Sequence, residues 1–440
     1  MNKIYELMYK NNKVLSFNRE YEVLDFEANI KLPYGMQNDP NYIKTWMEQR
    51  MDVKSRPNYN KLLEVYGLAM DSNILDIASK TYCTSFRDVY WLKLNTDNTT
   101  WEEVNPFTTH EEMLDVLLEG KSTVEMKTKA CAEFTYKGTT LKGYWKEGNS
   151  LKVYKRYGTV SLFFREMFAD AIRKFFSPSG LRYEVARKEL TGKARNYVSV
   201  CTNATEDFGF ISLQEFLVNH EMDYTGATSL DILKVLPNNL RPMYIKVRTV
   251  TYLIDATKNL ESRMNFYINN ETQEIDDYYG TQGNSKCLMY ELNIDDKDIN
   301  DEEAEEAFRA YCERKNDYEH PSTESVEMIE LLQLACKVVI VEIRESIEKL
   351  FEELSKPNFI KNMVGEEVFA EVNQFICPRA LDRIIIFMRE RCIKLLAEIN
   401  NMSNSDCGDT FALEEGQCIN DEYGEDTERE VEYDEDGCRQ

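Results

Sequence analysis

An α+β fold of more than one packed unit is predicted by three features of the sequence. Short β-branched runs crowd the first half of the chain, and apolar residues at helical spacing fill much of the second. The composition, 42% hydrophobic and 12% aromatic over 440 residues, can bury a sizeable core. At roughly 100–200 residues per domain, two or three units fit the length.

Taken in order, residues 1–120 read as an N-terminal α+β region. NNKVLSFNREYEVLDFEANI alternates as strands do, and the stretch from Asn41 to Tyr66 reads as helical. Residues 121–216 read as strands around one helix. TLKGYWKEGNSLKVYK holds two extended runs joined at Glu147-Gly148-Asn149-Ser150, a hairpin signal. In SLFFREMFADAIRKFF the residues Phe164, Met167, Phe168, Ala171, Ile172 and Phe175 recur at helical spacing, and NYVSVCTN returns to strand. Residues 217–402 read as mostly helical. One helix is expected from Ser322 and Thr323, good N-cap types, to the residue before Pro357. Its interior, LLQLACKVVIVEI, is apolar enough to be buried on most sides. A last helix starts at Pro378 and carries Leu381, Ile384, Ile385, Met388, Cys392, Leu395 and Leu396. Residues 403–440 hold fourteen acids against two arginines, a net of -12, and are expected to be disordered.

The formal charge of -25 argues against direct nucleic-acid binding, which draws most of its affinity from lysine and arginine on phosphates. No run approaches the ~18 uncharged apolar residues that span a bilayer, and MNKIYELMYKNNK lacks the apolar core of a secretory signal. Eleven scattered cysteines without a CxxC pair fit buried free thiols in a reducing, cytoplasmic setting; Cys336, Cys377 and Cys392 sit in apolar runs. His110, His220 and His320 show no metal-ligand spacing.

Several motifs tempt and fail. Asp207-Phe208-Gly209 spells the metal-binding tripeptide of eukaryotic kinases, but no H-R-D-x-x-x-x-N loop precedes it, so coincidence is the reading. Asp296 to Ala307 faintly resembles a calcium loop, yet Asp301 stands where glycine is needed and Ala307 where the closing glutamate belongs. A solvated acidic helix start accounts for it. Gly138, Gly143 and Gly148 could line a phosphate, but glycines at hairpin ends are the commoner explanation.

The order and spacing of several segments resemble the HipA-like kinases found in mobile elements and phage of Firmicutes-type bacteria. The segments are Tyr42-Ile43-Lys44-Thr45-Trp46-Met47-Glu48-Gln49-Arg50, YGLAMDSNILDIASKTYCTSFRDVYWLKL, TWEEVNPF, LKVYKRYG, REMFADAIRKFF and YVSVCTNATEDFGFIS. The resemblance runs across residues 1–290; beyond, the match is only in being helical. The resemblance implies a two-lobed kinase fold in a toxin–antitoxin setting. Residues 1–120 would be an N-terminal α+β extension, 121–216 the nucleotide lobe and 217–402 the helical lobe.

Kinase chemistry needs a lysine on the phosphates, a glutamate to hold it, a catalytic aspartate and metal ligands. The resemblance puts Lys155 in the first role and Glu166 in the second; apart from it, a solvated strand lysine and a first-turn glutamate would be ordinary. The catalytic half departs from the family. There Y-L-I-G precedes N-T-D-R-H-x-x-N-F-G and a metal-binding F-D. Here TYLIDATKNLESRMNFYINNETQEI puts Lys258 at the base position, Leu260 at the histidine and Arg263 at the asparagine ligand, and Gly283 falls at the metal-binding aspartate. Lysine and arginine cannot coordinate magnesium, and a charged lysine offers no acceptor. Asp255, Asp276 and Asp277 are nearby carboxylates able to take over.

The expectation is thus a pseudokinase acting as a binding or regulatory protein with a protein partner. It would hold ATP or ADP through Lys155, Glu166 and Arg263, without a metal. An active serine/threonine kinase with relocated acids and a closed-pocket structural or interaction protein of a mobile element are the rivals. An acidic tail that mimics nucleic acid is a weaker third.

Overall fold

The computed structural model describes residues 3–404, apart from 37, 52–53, 55, 110–113, 121–130, 136–139, 148–149, 158–159, 177–182, 186–196, 203–205, 224, 256–263, 273–274, 282–305, 307–322, 367–368 and 371–377. The expected acidic tail therefore lies outside the described residues almost whole, as do His110, His320, Cys377 and nearly all of the calcium-like segment. The chain is α+β, as expected.

The N-terminal region builds an antiparallel sheet in the order β3-β2-β1-β4, from β1 (Tyr5–Tyr9), β2 (Asn12–Phe17), β3 (Val23–Phe26) and β4 (Tyr90–Leu94). Helices α1 (Ile43–Met51), α2 (Tyr59–Val65) and α3 (Ile74–Thr81) accompany it. Leu7, Val14, Leu15, Phe17, Met47, Leu62 and Ala78 share one buried core. The helical stretch expected from Asn41 to Tyr66 is thus two helices, parted around Pro57. Pyrrolidine rings disfavour helix in the residue before them and remove a donor.

The short helices α4 (Trp101–Val104), α5 (Pro106–Thr109) and α6 (Leu114–Glu119) lead to a second antiparallel sheet, ordered β5-β6-β8-β7. It comprises β5 (Leu141–Glu147), β6 (Ser150–Tyr157), β7 (Glu184–Val185) and β8 (Tyr197–Thr202), and β5 and β6 form the expected hairpin, closing at Glu147 and Ser150. Helix α7 (Val160–Phe176) packs on this sheet, with the Phe163 ring 5.8 Å from that of Tyr157 on β6.

The outer edge of β5 is closed by an ion pair from outside the sheet. Arg56 Nη2 bonds Glu133 Oε2 at 2.6 Å and donates to the Lys142 carbonyl at 2.6 Å; Glu133 Oε1 accepts the Tyr144 amide at 2.9 Å. Both side chains are essentially inaccessible. The two residues stand in for the missing neighbour strand, whose absence would leave a donor and an acceptor unpaired.

Strand β9 (Phe208–Ser212) joins a third sheet, β11-β10-β9, with β10 (Met264–Asn269) and β11 (Ile275–Thr281). Ser212 then caps α8 (Leu213–Asn219): its hydroxyl accepts the Glu215 amide, and the Glu215 carboxylate takes the Ser212 amide in return. His220 ends that helix with Nδ1 against the Phe216 carbonyl, an ordinary place.

Helices α9 (Ser229–Val235), α10 (Arg241–Leu253), α11 (Thr323–Leu334), α12 (Lys337–Leu354), α13 (Phe359–Val364) and α14 (Pro378–Asn404) follow. One expectation is corrected here. The single helix expected from Ser322 to Pro357 is two, α11 and α12, because Cys336 is extended (φ -67, ψ 157) and caps α12. The break lets α11 lie on α9 and α10 while α12 turns to α7 and α14. The apolar run across it is not buried on most sides either: Leu334, Val338 and Val341 are 48%, 66% and 52% exposed. Cys336, expected to be a buried thiol, is exposed, whereas Cys392 is buried as expected. Apolar content set that expectation, but α12 turns only the i, i+3/i+4 stripe of Val339, Ile343, Ile347, Leu350 and Leu354 to the core, and before it Leu331, Leu332 and Ala335 are buried. No described helix is long and apolar enough to cross a membrane.

Candidate functional site

In β6 the residues Leu151, Val153, Lys155 and Tyr157 share one face, since side chains alternate along a strand. Register places Lys142 opposite Lys155 and Tyr144 opposite Val153, so β5 contributes to the same face. Three of the β6 residues are apolar and belong to the buried core that α7 shares, Tyr157 lying against Phe163. Lys155 is the exception, and what α7 offers it is Glu166.

Lys155 Nζ lies 3.4 Å from Glu166 Oε1 and 2.5 Å from the Tyr183 hydroxyl. It also sits 4.4 Å from the Tyr183 ring centroid, a cation–π distance. Lys155 is 5% and Glu166 4% exposed, so this is a buried pair and not a solvated strand lysine beside a helix-start acid. One turn on, Asp170 accepts the Tyr183 amide at 3.3 Å and pairs with Arg173 at 3.4 Å. Charges withdrawn from water this far persist only when paired and hydrogen-bonded, and each here is.

The sequence therefore names two of the groups that the fold brings together, Lys155 and Glu166. It misses Tyr183 and Asp170. Asp170 could have been read, since it lies four residues after Glu166 on the same helical face. Tyr183 carried no signal, being brought in by the chain that returns to the sheet edge at β7.

The positions expected for the base and metal ligands, Lys258, Leu260, Arg263 and Gly283, lie outside the described residues. Of the three candidate replacement acids, Asp255 is described in full. It ends α10 in the left-handed region (φ 53) and its carboxylate accepts from Arg391 Nη2 at 3.2 Å. Arg391 is wholly buried, stacked 4.3 Å from Tyr252 and 4.4 Å from Phe387, and donates to the Tyr252 carbonyl. Asp255 is thus bound into the junction of α10 with α14. Asp276 and Asp277 lie on β11. Among the described residues no group of three His, Cys, Asp or Glu side chains could hold a metal.

Asp207-Phe208-Gly209 is explained by packing. A β-carbon at Gly209 would lie 1.9 Å from the Arg87 carbonyl oxygen, which accepts the Phe210 amide at 2.9 Å. Arg87 also pairs with Glu215. Burial alone would push that carboxyl up, but the guanidinium and the Ser212 hydrogen bonds hold it below the usual range. These contacts fix the N-terminal region to β9 and α8. Trp101 and Asn105 add to them by donating to Glu206 at 2.9 Å each.

No protein-family model matches the sequence, and no curated protein matches it. Two solved structures are similar in outline. One is from the Shewanella oneidensis toxin–antitoxin system, a complex of HipA, HipB and its operator DNA. It matches at 10% identity and a TM-score of 0.46, covering 90% of this chain and 99% of that one. The other is the Helicobacter pylori proinflammatory kinase CtkA, at 12% identity and a TM-score of 0.34, covering 58% and 94%.

Proposed function

We propose that this chain is a kinase-shaped binding or regulatory protein, a pseudokinase that takes ATP or ADP without transferring phosphate and acts through a protein partner in the cytoplasm. The observation that carries the reading is the buried Lys155–Glu166 pair, strand lysine to helix glutamate, the arrangement that positions phosphates in kinases. Lys258, Arg263 and Gly283 at the base and metal positions speak for binding without transfer. In that reading Arg263 and Lys258 supply the positive charge that magnesium would otherwise bring. An active kinase with relocated acids is less well supported, because Asp255 is already engaged by Arg391.

A melting assay with ATP or ADP in EDTA tests the reading. A ligand of the folded state at a hundredfold excess over its dissociation constant adds about 2.7 kcal/mol, enough to raise Tm visibly. The shift is expected with EDTA, little changed by magnesium and absent in Lys155→Ala. Label from γ-phosphate on the protein, lost in Lys155→Ala, would restore the active kinase. No shift with any nucleotide would favour a closed-pocket interaction protein, to which the burial of Lys155 already points.

A further inference from the structure

We propose that the Tyr183 phenol is an internal competitor for Lys155, so that a phosphate-bearing ligand binds this site only by displacing it. The inference rests on the nucleotide reading above and says what regulates that same site. The Lys155 ammonium has three N–H donors. Its acceptors are the Glu166 carboxylate at 3.4 Å and the Tyr183 oxygen at 2.5 Å, so the neutral phenol, not the charged partner, is the nearer. A phosphate oxygen on this lysine needs a separation of about 2.7–2.9 Å, the space the phenol oxygen fills. The ring centroid also lies 4.4 Å from the ammonium, and Lys155 is 5% exposed.

The phenol is held there from α7. Asp170 Oδ2 accepts the Tyr183 amide at 3.3 Å, and the Arg173 guanidinium stands 5.9 Å from the ring. One helix therefore carries both the carboxylate that positions the lysine and the anchor of the group that covers it. Glu166 holds Lys155 in place whether or not Tyr183 is present, so removing the phenol oxygen frees a donor without removing its ion-pair partner.

Titration of the full chain with ADP in EDTA decides the matter, with wild type beside Tyr183→Phe, which keeps the ring and loses only the oxygen. The hydrogen bond given up is one to a charged group, so ADP should bind the variant about tenfold more tightly, a change of 1.4 kcal/mol. Adenosine, which has no phosphate, should gain nothing. Tyr183→Met, which keeps apolar bulk without an oxygen, gives the same reading if the phenylalanine variant folds poorly. If wild type binds ADP and neither variant binds it more tightly, the competitor role fails and the nucleotide reading stands. An equal gain for adenosine would also overturn the role, by showing that Tyr183 acts on the base. ADP binding to none of the proteins sinks both.

Discussion

At Gly209 the side chain that is missing matters more than the motif it completes. The Arg87 carbonyl passes so close that a β-carbon has no room, and backbone cannot swing aside as the end of a flexible side chain can. Gly209→Ala is expected to cost about 1–3 kcal/mol, the range for forcing an extra methyl into a packed interior. Chemical denaturation would measure it, and a neutral result would mean that β9 and the Arg87 loop separate freely. Lys155 and Glu166 were legible only through the resemblance carried by LKVYKRYG and REMFADAIRKFF, since a strand lysine and a first-turn glutamate are otherwise ordinary surface residues. Tyr183 was not, because nothing in LRYEVARK says that its phenol turns back toward β6.

Among the elements, strands, hairpin and long helices were legible from periodicity: β5 with β6, α7 and α14 all lie where alternation or helical spacing puts them. The break between α11 and α12 was not. Ala335 and Cys336 are neither proline nor glycine, and the β-branched run that follows, Val338 to Val341, is helical all the same. Tertiary packing decides, since each half has a different neighbour to cover. The same break brings Cys336 to the surface, which gives a chemical test. Burial pushes the Cys83 thiol up to about 11, and those of Cys131 and Cys392 up to about 12. Thiolate, not thiol, reacts with alkylating agents. Brief treatment of the native protein with iodoacetamide, mapped by mass spectrometry, should therefore label Cys336 and spare these three. Equal labelling of Cys392 would mean that α14 is not packed as described.

Over the whole molecule, the N-terminal region is tied to the rest by buried and half-buried polar links as well as apolar packing. Arg56 with Glu133, Arg87 with Glu215, and Glu206 under Trp101 and Asn105 are the clearest. Composition could not show this, because the partners lie far apart in sequence and each residue alone looks like a surface charge. Breaking a buried pair by removing one member leaves the other charged and unpaired, at about 3–5 kcal/mol. Glu133→Ala should lose about that much, and wild type should melt in a single transition that includes the N-terminal region. A variant that melts in two steps, with the second at the wild-type temperature, would show that the link holds no more than its own segment.

The closure of β5 by Arg56 and Glu133 has a consequence for how the protein behaves at high concentration. An uncovered outer strand is a template on which another chain can add its own strand, and then another. Here that template is occupied by Arg56, from a distant part of the same polypeptide, and by Glu133, from just ahead of β5. Whatever loosens the N-terminal region thus uncovers a growing end, and the first visible failure of this fold would be self-association ahead of loss of helix.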